Sequence, residues 1–380
     1  MPGIGTTACP AREPAAGAPG AALSACRAPI ARERPAGDGR PIRVGFVLHV
    51  MQVAGAEMLV ADIIRLLGPR IEPTIFCLDA VGALGERLRD DGVPVVTLGR
   101  TPGIDLRVAV RLGREIRARR IEVVHAHQYT PFFYAALARA GAGRPVHVMF
   151  TEHGRHYPDV VSWRRRLVNR LLLSRCADEV TGVCRFSAVS LARVDGFGAQ
   201  RPIEVIANGV EPSRYAGGAD RDALRRSLGL DPARRYLISV ARFHPVKDHA
   251  TLLRAFARIA VAQPEVDLLL AGDGPLRGTL ETQAGALGIA DRVRFLGVRD
   301  DVPSLLRAAD LFVMTSLSEA ASITVLEAMA SGLPVIVTAV GGNVEIVRQG
   351  IDGMLVPRQD VGALVGAMHE MLRDPVHARA

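Results

Sequence analysis

The chain has 380 residues, of which 49% are hydrophobic, 23% charged and only 4% aromatic, with a formal net charge of +8. That length accommodates two domains of ordinary size, each with its own core. Sparse aromatics, with no basic–aromatic interleaving and no zinc-type ligand spacing, argue against nucleic acid as a partner, and no run nears the roughly 18 apolar residues of a membrane span.

Residues 1–40 are rich in Ala, Gly, Pro and Arg and lack periodicity, which predicts a disordered tail. Prolines and glycines interrupt any apolar h-region there, so a secretory signal is not expected. The tail's five arginines against Glu13, Glu33 and Asp38 give it +2, leaving +6 of the +8 for the rest. Five cysteines, Cys9, Cys26, Cys77, Cys176 and Cys184, are odd in number and lack metal-ligand spacing, which reads as reduced thiols.

From Ile42 onward short apolar runs alternate with helical patterns. Ile42–Leu48, Thr74–Leu78, Val95–Leu98, Ile121–His125, Val146–Phe150, Glu179–Gly182 and Ile203–Ile206 read as strands. Such alternation implies a parallel sheet covered on both faces. Between two of these strands, Trp163 to Arg175 predicts a helix, apolar on one side, with Arg164, Arg165, Arg166, Arg170 and Arg175 elsewhere. A solvated basic face and docking on anionic lipid head groups both fit it. Asn208-Gly209 and the polar stretch through Gly217-Gly218 predict a hinge.

A second alternation follows. Tyr236–Val240, Val266–Ala271, Val293–Leu296, Leu311–Met314, Val335–Val337 and Met354–Val356 are its predicted strands, with a final helix over Val361–Leu372. The fold class is therefore α/β, two doubly wound Rossmann-like domains facing across a cleft. The expected boundaries are a tail over 1–40, a first domain over 41–210 and a second over 211–380, which the resemblance given below implies to be the acceptor side and the nucleotide-sugar side. Ligands in such sheets lie outside the C-terminal strand ends at the topological switch, where most of the chemistry-bearing motifs fall.

Glu319 and Glu327 lie eight residues apart, Glu319 after the strand Leu311–Met314 and Glu327 within a helix for which Ser322 is the expected N-cap. Free amides at that helix start suit a phosphate, whereas carboxylates hold hydroxyls or cations. Together they point to a ligand bearing both phosphate and sugar hydroxyls. Arg242 and Lys247 follow the strand Tyr236–Val240 and suit a diphosphate, the arginine gripping two oxygens and the lysine acting as a point charge. Gly55-Ala56-Glu57 opens a helix after the first strand, a place for a phosphate or an acceptor. His153 follows an apolar strand and is expected to project into the cleft. His125 and His127 are expected to alternate about their strand, with His127 on the cleft side. No Asp-x-Asp pair stands in a suitable place, so no metal and no cofactor are expected.

The stretch from Ser316 to Ala330 resembles the Glu-x7-Glu signature of retaining glycosyltransferases of family 4 with the GT-B fold. The resemblance runs from about Ile42 to Pro357. It includes His125-Ala126-His127, Thr151-Glu152-His153-Gly154, Asn208-Gly209, Arg242 with Lys247, Gly272-Asp273-Gly274 and Gly341-Gly342-Asn343. It implies that Glu319 holds donor-sugar hydroxyls and that Glu327 binds ribose, with Val325 and Leu326 alongside in the same helix. It also implies that Arg242 and Lys247 meet the leaving diphosphate and that His153 lies beside the anomeric centre. Gly55, His127, Gly272, Asp273 and Gly341 would line the substrate pocket. Two departures stand out: Ala320 and Ala54 occupy positions where relatives often carry glycine.

The resulting expectation is a hexose-transferring retaining enzyme that moves sugar from a UDP- or GDP-sugar to a hydroxyl acceptor in cell-envelope glycolipid or polysaccharide synthesis. It would be cytoplasmic, with peripheral contact to anionic lipid at the inner face of the plasma membrane. A nucleotide-sugar epimerase and a non-catalytic nucleotide-sugar-binding protein of the same fold are the alternatives. The chain stops eight residues after Leu372, and the final crossing helix that the resemblance implies is expected to be missing.

Overall fold

The described residues place thirteen strands in two all-parallel sheets. The structure is a computed structural model and describes residues 39–154, 162–198, 201–217 and 220–373. The first sheet comprises β1 (Ile42–Val50), β2 (Ile71–Ala80), β3 (Val95–Thr97), β4 (Val123–His127), β5 (His147–Glu152), β6 (Glu179–Gly182) and β7 (Glu204–Val205), in the order β3-β2-β1-β4-β5-β6-β7. The second comprises β8 (Arg235–Val240), β9 (Val266–Ala271), β10 (Val293–Gly297), β11 (Leu311–Met314), β12 (Val335–Thr338) and β13 (Gly353–Val356), in the order β10-β9-β8-β11-β12-β13. Both orders are doubly wound. The strand order reverses between β1 and β4, and again between β8 and β11, so each sheet offers one switch-point crevice.

Central strands are largely apolar because helices cover both faces. All six residues of β9 are buried, including Asp267. That carboxylate accepts hydrogen bonds from Arg234 Nη2 at 2.7 Å and from Arg292 Nε at 2.6 Å. Burial pushes its pKa up, and the two guanidiniums outweigh that and hold it low. A buried charge survives in a core only when paired in this way, and removing one partner costs about 3–5 kcal/mol. The last helix, Val361–Arg373, packs its buried Leu364, Met368 and Leu372 on the helix His249–Ala262.

Every predicted strand forms, within a few residues of its expected ends. The predicted helix at Trp163 is a composite: α-helical over Trp163–Val168, π-helical over Asn169–Leu173 and α-helical again over Ser174–Cys176. Cys77, Cys176 and Cys184 are free thiols. The predictions for the tail up to residue 38, for Gly218 and for the chain beyond Arg373 lie outside the described residues.

Candidate active site

The loops after β8, β11 and β12 are tied together by backbone, and this sets the charged side of the site. The short turn Pro245–Lys247 leads into Asp248, whose left-handed backbone (φ 45°) and carboxylate cap the helix His249–Ala262 through Thr251 N and Thr251 Oγ1, the latter at 2.7 Å. Thr315 Oγ1 donates toward the carbonyls of Lys247 and Asp248 at 3.1 and 2.9 Å, and Leu317 N donates to the Val246 carbonyl at 2.7 Å. Lys247 is thereby brought to Glu319, and the two form an ion pair. Ser316 Oγ donates to the same carboxylate oxygen at 2.6 Å. Behind them, Thr338 Oγ1 donates to the Ser316 carbonyl at 2.6 Å, and Gly342 N donates to the Glu319 carbonyl at 3.1 Å.

Two glycines are required by this stitching. At Gly341 (φ 53°) a β-carbon would stand 1.7 Å from the Glu319 carbonyl oxygen, and at Gly272 (φ 138°) one would stand 2.1 Å from the Ala241 carbonyl oxygen. Gly272 therefore lets the β9 loop close on the loop that carries Arg242. Asp273 serves the same loop: its side chain accepts from Gly274 N at 2.7 Å, and its carbonyl accepts from Phe243 N at 2.9 Å.

Two helix starts converge nearby. Ala54 stands at the N-cap position of the helix Gly55–Leu67 and supplies no side-chain cap. Ser322 stands at the expected N-cap of the helix Ile323–Ala330, yet its hydroxyl lies 3.1 Å from Thr324 Oγ1 and does not cap the backbone. A β-carbon on Gly55 would lie 3.5 Å from Ile323 Cδ1, so the two helix starts face each other. Both present the positive end of a helix dipole. Arg242 acts electrostatically on Glu57 in the first turn of the former helix; burial raises the Glu57 pKa and Arg242 opposes the rise. The arrangement is suited to a polyanion: two amide clusters, one arginine and one lysine in one place.

Glu327 is half-buried in the second helix, and its Oε1 accepts from Tyr215 Oη at 2.7 Å. Burial raises its pKa, with Tyr215 and Arg214 opposing. Val325 is fully buried in the core beneath the helix. Its side chain is therefore turned away from the site, and a contact with substrate from this residue would be made by its backbone. Leu326 is partly buried, and its amide is used within the helix by the Ser322 carbonyl at 3.4 Å.

The opposite side is built from neutral rings. His125 and His127 do not alternate between faces; residues i and i+2 of a strand share one, and their rings lie 4.1 Å apart. His127 is 1% exposed and lies under His153, Nδ1 to Nε2 at 2.7 Å, rather than lining the open cleft as expected. Among the described residues His127 Nε2 has no hydrogen-bond partner. A bare buried lone pair costs less than an orphaned N–H, which assigns the His127 proton to Nδ1, donating to His153, and the His153 proton to its own Nδ1. Burial lowers the pKa of His127 well below the usual value, that of His125 to about 4 and that of His153 to about 3. All three are neutral at pH 7.

The two sides meet at Gly154 and Ala320, the neighbours of His153 and Glu319. A β-carbon on Gly154 would approach Ala320 Cβ to 3.0 Å. Ala320 has no positive φ and packs with Val183 and Cys184, so alanine is accommodated where the family pattern suggested glycine. Other contacts across the halves are Asp62–Arg214 at 3.0 Å, Arg65–Glu211 at 2.5 Å, the bidentate Arg87–Asp300 pair at 3.0 and 2.8 Å, and Asn208 Nδ2 to the Ala321 carbonyl at 2.9 Å. Glu345 accepts from the amides of Arg185 and Phe186, each at 2.8 Å. Ser316 and Tyr215 lie beyond the expected site residues. Ser316 is signalled by its spacing of three before Glu319; Tyr215 carries no local signal.

Two doubly wound parallel sheets in succession are the arrangement of the GT-B class of fold. The comparisons make the class specific. Residues 220–380 match the profile of glycosyl transferases group 1 and residues 53–214 that of glycosyltransferase family 4. A GDP-mannose-dependent alpha-(1-6)-phosphatidylinositol monomannoside mannosyltransferase of Mycolicibacterium smegmatis is 33% identical over 72% of this chain and 73% of its own. An N-acetyl-alpha-D-glucosaminyl L-malate synthase of Bacillus anthracis is 28% identical over 72% and 71%. The match to the putative glycosyltransferase EpsF of Bacillus subtilis, at 34% identity, spans about half of each, 57% and 56%. Among solved structures, Anabaena HepE in complex with UDP-glucose superposes with a TM-score of 0.78 at 25% identity, covering 89% of this chain and 92% of that one. The chain belongs to glycosyltransferase family 4 and is an enzyme of the glycosyltransferase type.

Proposed function

We propose that this enzyme is a retaining glycosyltransferase that moves a hexose from a nucleoside diphosphate sugar to a hydroxyl acceptor of cell-envelope glycolipid or polysaccharide synthesis. The observation that carries this reading is the convergence of Arg242, the Lys247–Glu319 pair and two uncapped helix starts. Lys247 and Arg242 would neutralise the departing diphosphate, with amides of the helix Ile323–Ala330 adding to them. Glu327, held by Tyr215, would take the ribose hydroxyls, and Glu319 the sugar hydroxyls. UDP and GDP donors are both supported, by the UDP-glucose complex of HepE and by the GDP-mannose-dependent mannosyltransferase.

Retention is what the resemblance to the family implies, and the residues assigned to the anomeric centre are compatible with it. His153, with its pKa near 3, is a poor base, and Glu319 is already engaged by Lys247 and Ser316. The acceptor proton would pass to an oxygen of the departing phosphate as the C1–O(phosphate) bond breaks and the C1–O(acceptor) bond forms on the same face.

The test is incubation with UDP-glucose or GDP-mannose and a panel of hydroxyl acceptors, with the product anomer read by proton NMR. An α-linked product from an α-linked donor is expected, and the rate should stay within a few-fold when chelator is added. A β-linked product would overturn retention. Isomerised free sugar without acceptor would indicate the epimerase alternative, and donor binding without any turnover the non-catalytic one.

A further inference from the structure

The helical segment Arg185–Asp195 follows β6 in the first half, α-helical over Arg185–Ser190 and π-helical over Leu191–Asp195. A helix start leaves its first amides without partners inside the helix, and here each of them has one elsewhere. Cys184 stands at the N-cap with extended backbone (φ −162°, ψ 168°). Its Sγ accepts from Ser187 N at 3.4 Å, and its carbonyl accepts from Ala188 N at 3.1 Å. Ser187 Oγ in turn accepts from Cys184 N at 3.2 Å. The Arg185 and Phe186 amides remain, and both go to one side chain of the second half. Glu345 Oε2 accepts from Arg185 N and Glu345 Oε1 from Phe186 N, each at 2.8 Å. The helix start in one half is thus completed by a carboxylate from the other.

On its own side Glu345 is fixed to the loop that carries Glu319. It lies in the short helix Asn343–Ile346, whose buried Asn343 donates through Nδ2 to the Thr338 carbonyl at 3.0 Å. A β-carbon on Gly342, just before that helix, would stand 2.1 Å from the Ala320 carbonyl oxygen and 2.9 Å from Cys184 Sγ. The Glu319 loop, the glycine turn and the capped helix start are therefore in direct contact. The ion pairs across the halves, Asp62–Arg214, Arg65–Glu211 and Arg87–Asp300, join exposed side chain to exposed side chain, and such pairs contribute little. Glu345 instead sets a full negative charge on two consecutive amides at the positive end of a helix dipole, a charge-assisted fork. It is itself exposed, so water can replace the amides and the contact can open and close. We infer that Glu345 is a positioning residue, an interlock that sets the separation of the two halves at the Glu319 end of the cleft. Its effect on turnover rests on the proposed function, because it holds the His153 side against Glu319; the interlock itself does not.

Arg185 offers a way to remove one of the two bonds alone. Proline is accepted at the first position of a helix and needs extended backbone before it, which Cys184 has. Arg185→Pro therefore deletes the amide that meets Glu345 and keeps the helix, whereas Arg185→Ala deletes the side chain and keeps the amide. In hydrogen exchange read by mass spectrometry on the full-length protein, the amides of Arg185 and Phe186 should exchange about tenfold faster in Glu345→Ala than in the parent. With UDP-glucose or GDP-mannose, whichever the parent turns over, kcat should fall about tenfold in Glu345→Ala and about threefold in Arg185→Pro, the range for a lost helix cap. The dissociation constant of the free nucleotide should not change. Arg185→Ala should match the parent, and Glu345→Gln, which keeps one neutral acceptor, should lie between parent and Glu345→Ala. The double variant Arg185→Pro with Glu345→Ala should be no slower than Glu345→Ala, because both changes break the same contact. Unchanged exchange in Glu345→Ala would overturn the inference, as would faster exchange with unchanged kcat. Nucleotide affinity falling in step with kcat would also overturn it, since the substitution would then have damaged the donor loop. Faster exchange in the variant of a protein whose parent shows no transfer would count against the proposed reaction and leave the interlock standing.

Discussion

The two sides of the active site solve different problems. The side built on β8, β11 and β12 is charged and carried on loops, with Arg242, Lys247, Glu319 and Glu327 held by backbone stitching and by two hydroxyls, Ser316 and Tyr215. The side built on β4 and β5 is neutral: His127 is buried and stacked on His153, with His125 tilted against it, and their pKa values are pushed far below the ordinary range. A polyanion needs fixed opposite charge, which loops at strand ends supply at little desolvation cost. A reacting carbon that is becoming cationic is best left near neutral rings and away from further positive charge. Under the proposed reaction, protonated histidines would place positive charge beside that carbon, and burial opposes their protonation.

The largest expected effect tests the charged side. Arg242→Ala or Lys247→Ala should cut transfer by roughly two to three orders of magnitude, the scale of losing one partner of transition-state charge, with the thermal midpoint little changed. Near-normal turnover in both would move the diphosphate site elsewhere. Next in size is Glu327→Ala, expected to weaken UDP and GDP alike by about tenfold to a hundredfold, the range for charged hydrogen bonds. Glu319→Ala should spare free nucleotide and weaken the sugar nucleotide, and calorimetric titration of both ligands against both variants separates the two roles. Equal losses throughout would erase the distinction drawn between the carboxylates.

The neutral side should respond to pH instead. His125, His127 and His153, and on the other side the buried His249 that begins the helix after β8, are held neutral by burial in the folded chain, while the unfolded chain takes up protons below about pH 6.5. Their contribution is complete above that pH and is lost as pH falls from about 6.5 toward 4. Each costs up to about 1.4 kcal/mol per pH unit, a tenfold change in the folding constant. Urea unfolding at pH 7.5 and 5.5 should reveal the loss, and His249→Gln should flatten the slope by one such increment. A flat stability profile would mean that these rings are solvated. The smallest effect isolates one hydrogen bond. His127→Phe should lower kcat about fivefold with little change in KM, by releasing the His153 ring. His127→Asn, whose amide N–H can replace Nδ1–H, should recover most of it. Nitrogen-15 NMR of His153 should report the Nδ1–H tautomer in the parent and in the Asn variant but not in the Phe variant, an outcome that steric damage alone would not give.

Much of this architecture was legible in the residues. Alternating apolar runs and helical patterns specify parallel strands because a strand buried on both faces is largely apolar, and all thirteen form. Arg242, Lys247, Glu319 and Glu327 are legible by spacing, since each lies within a few residues of a strand end or helix start. Three features were settled only by packing in three dimensions. His125 and His127 share a face, and whether that face is open depends on what covers it, here His153 from the neighbouring strand. Tyr215 reaches Glu327 from 112 residues away, a contact that no local pattern encodes. The helix at Trp163 has an amphipathic sequence, and amphipathicity alone does not say which face turns inward. Tyr129 and Asp195, from separate segments, decided that by offering partners to Arg165 and Asn169. Periodicity along a chain fixes which residues share a face, and only the assembled neighbours determine what that face meets.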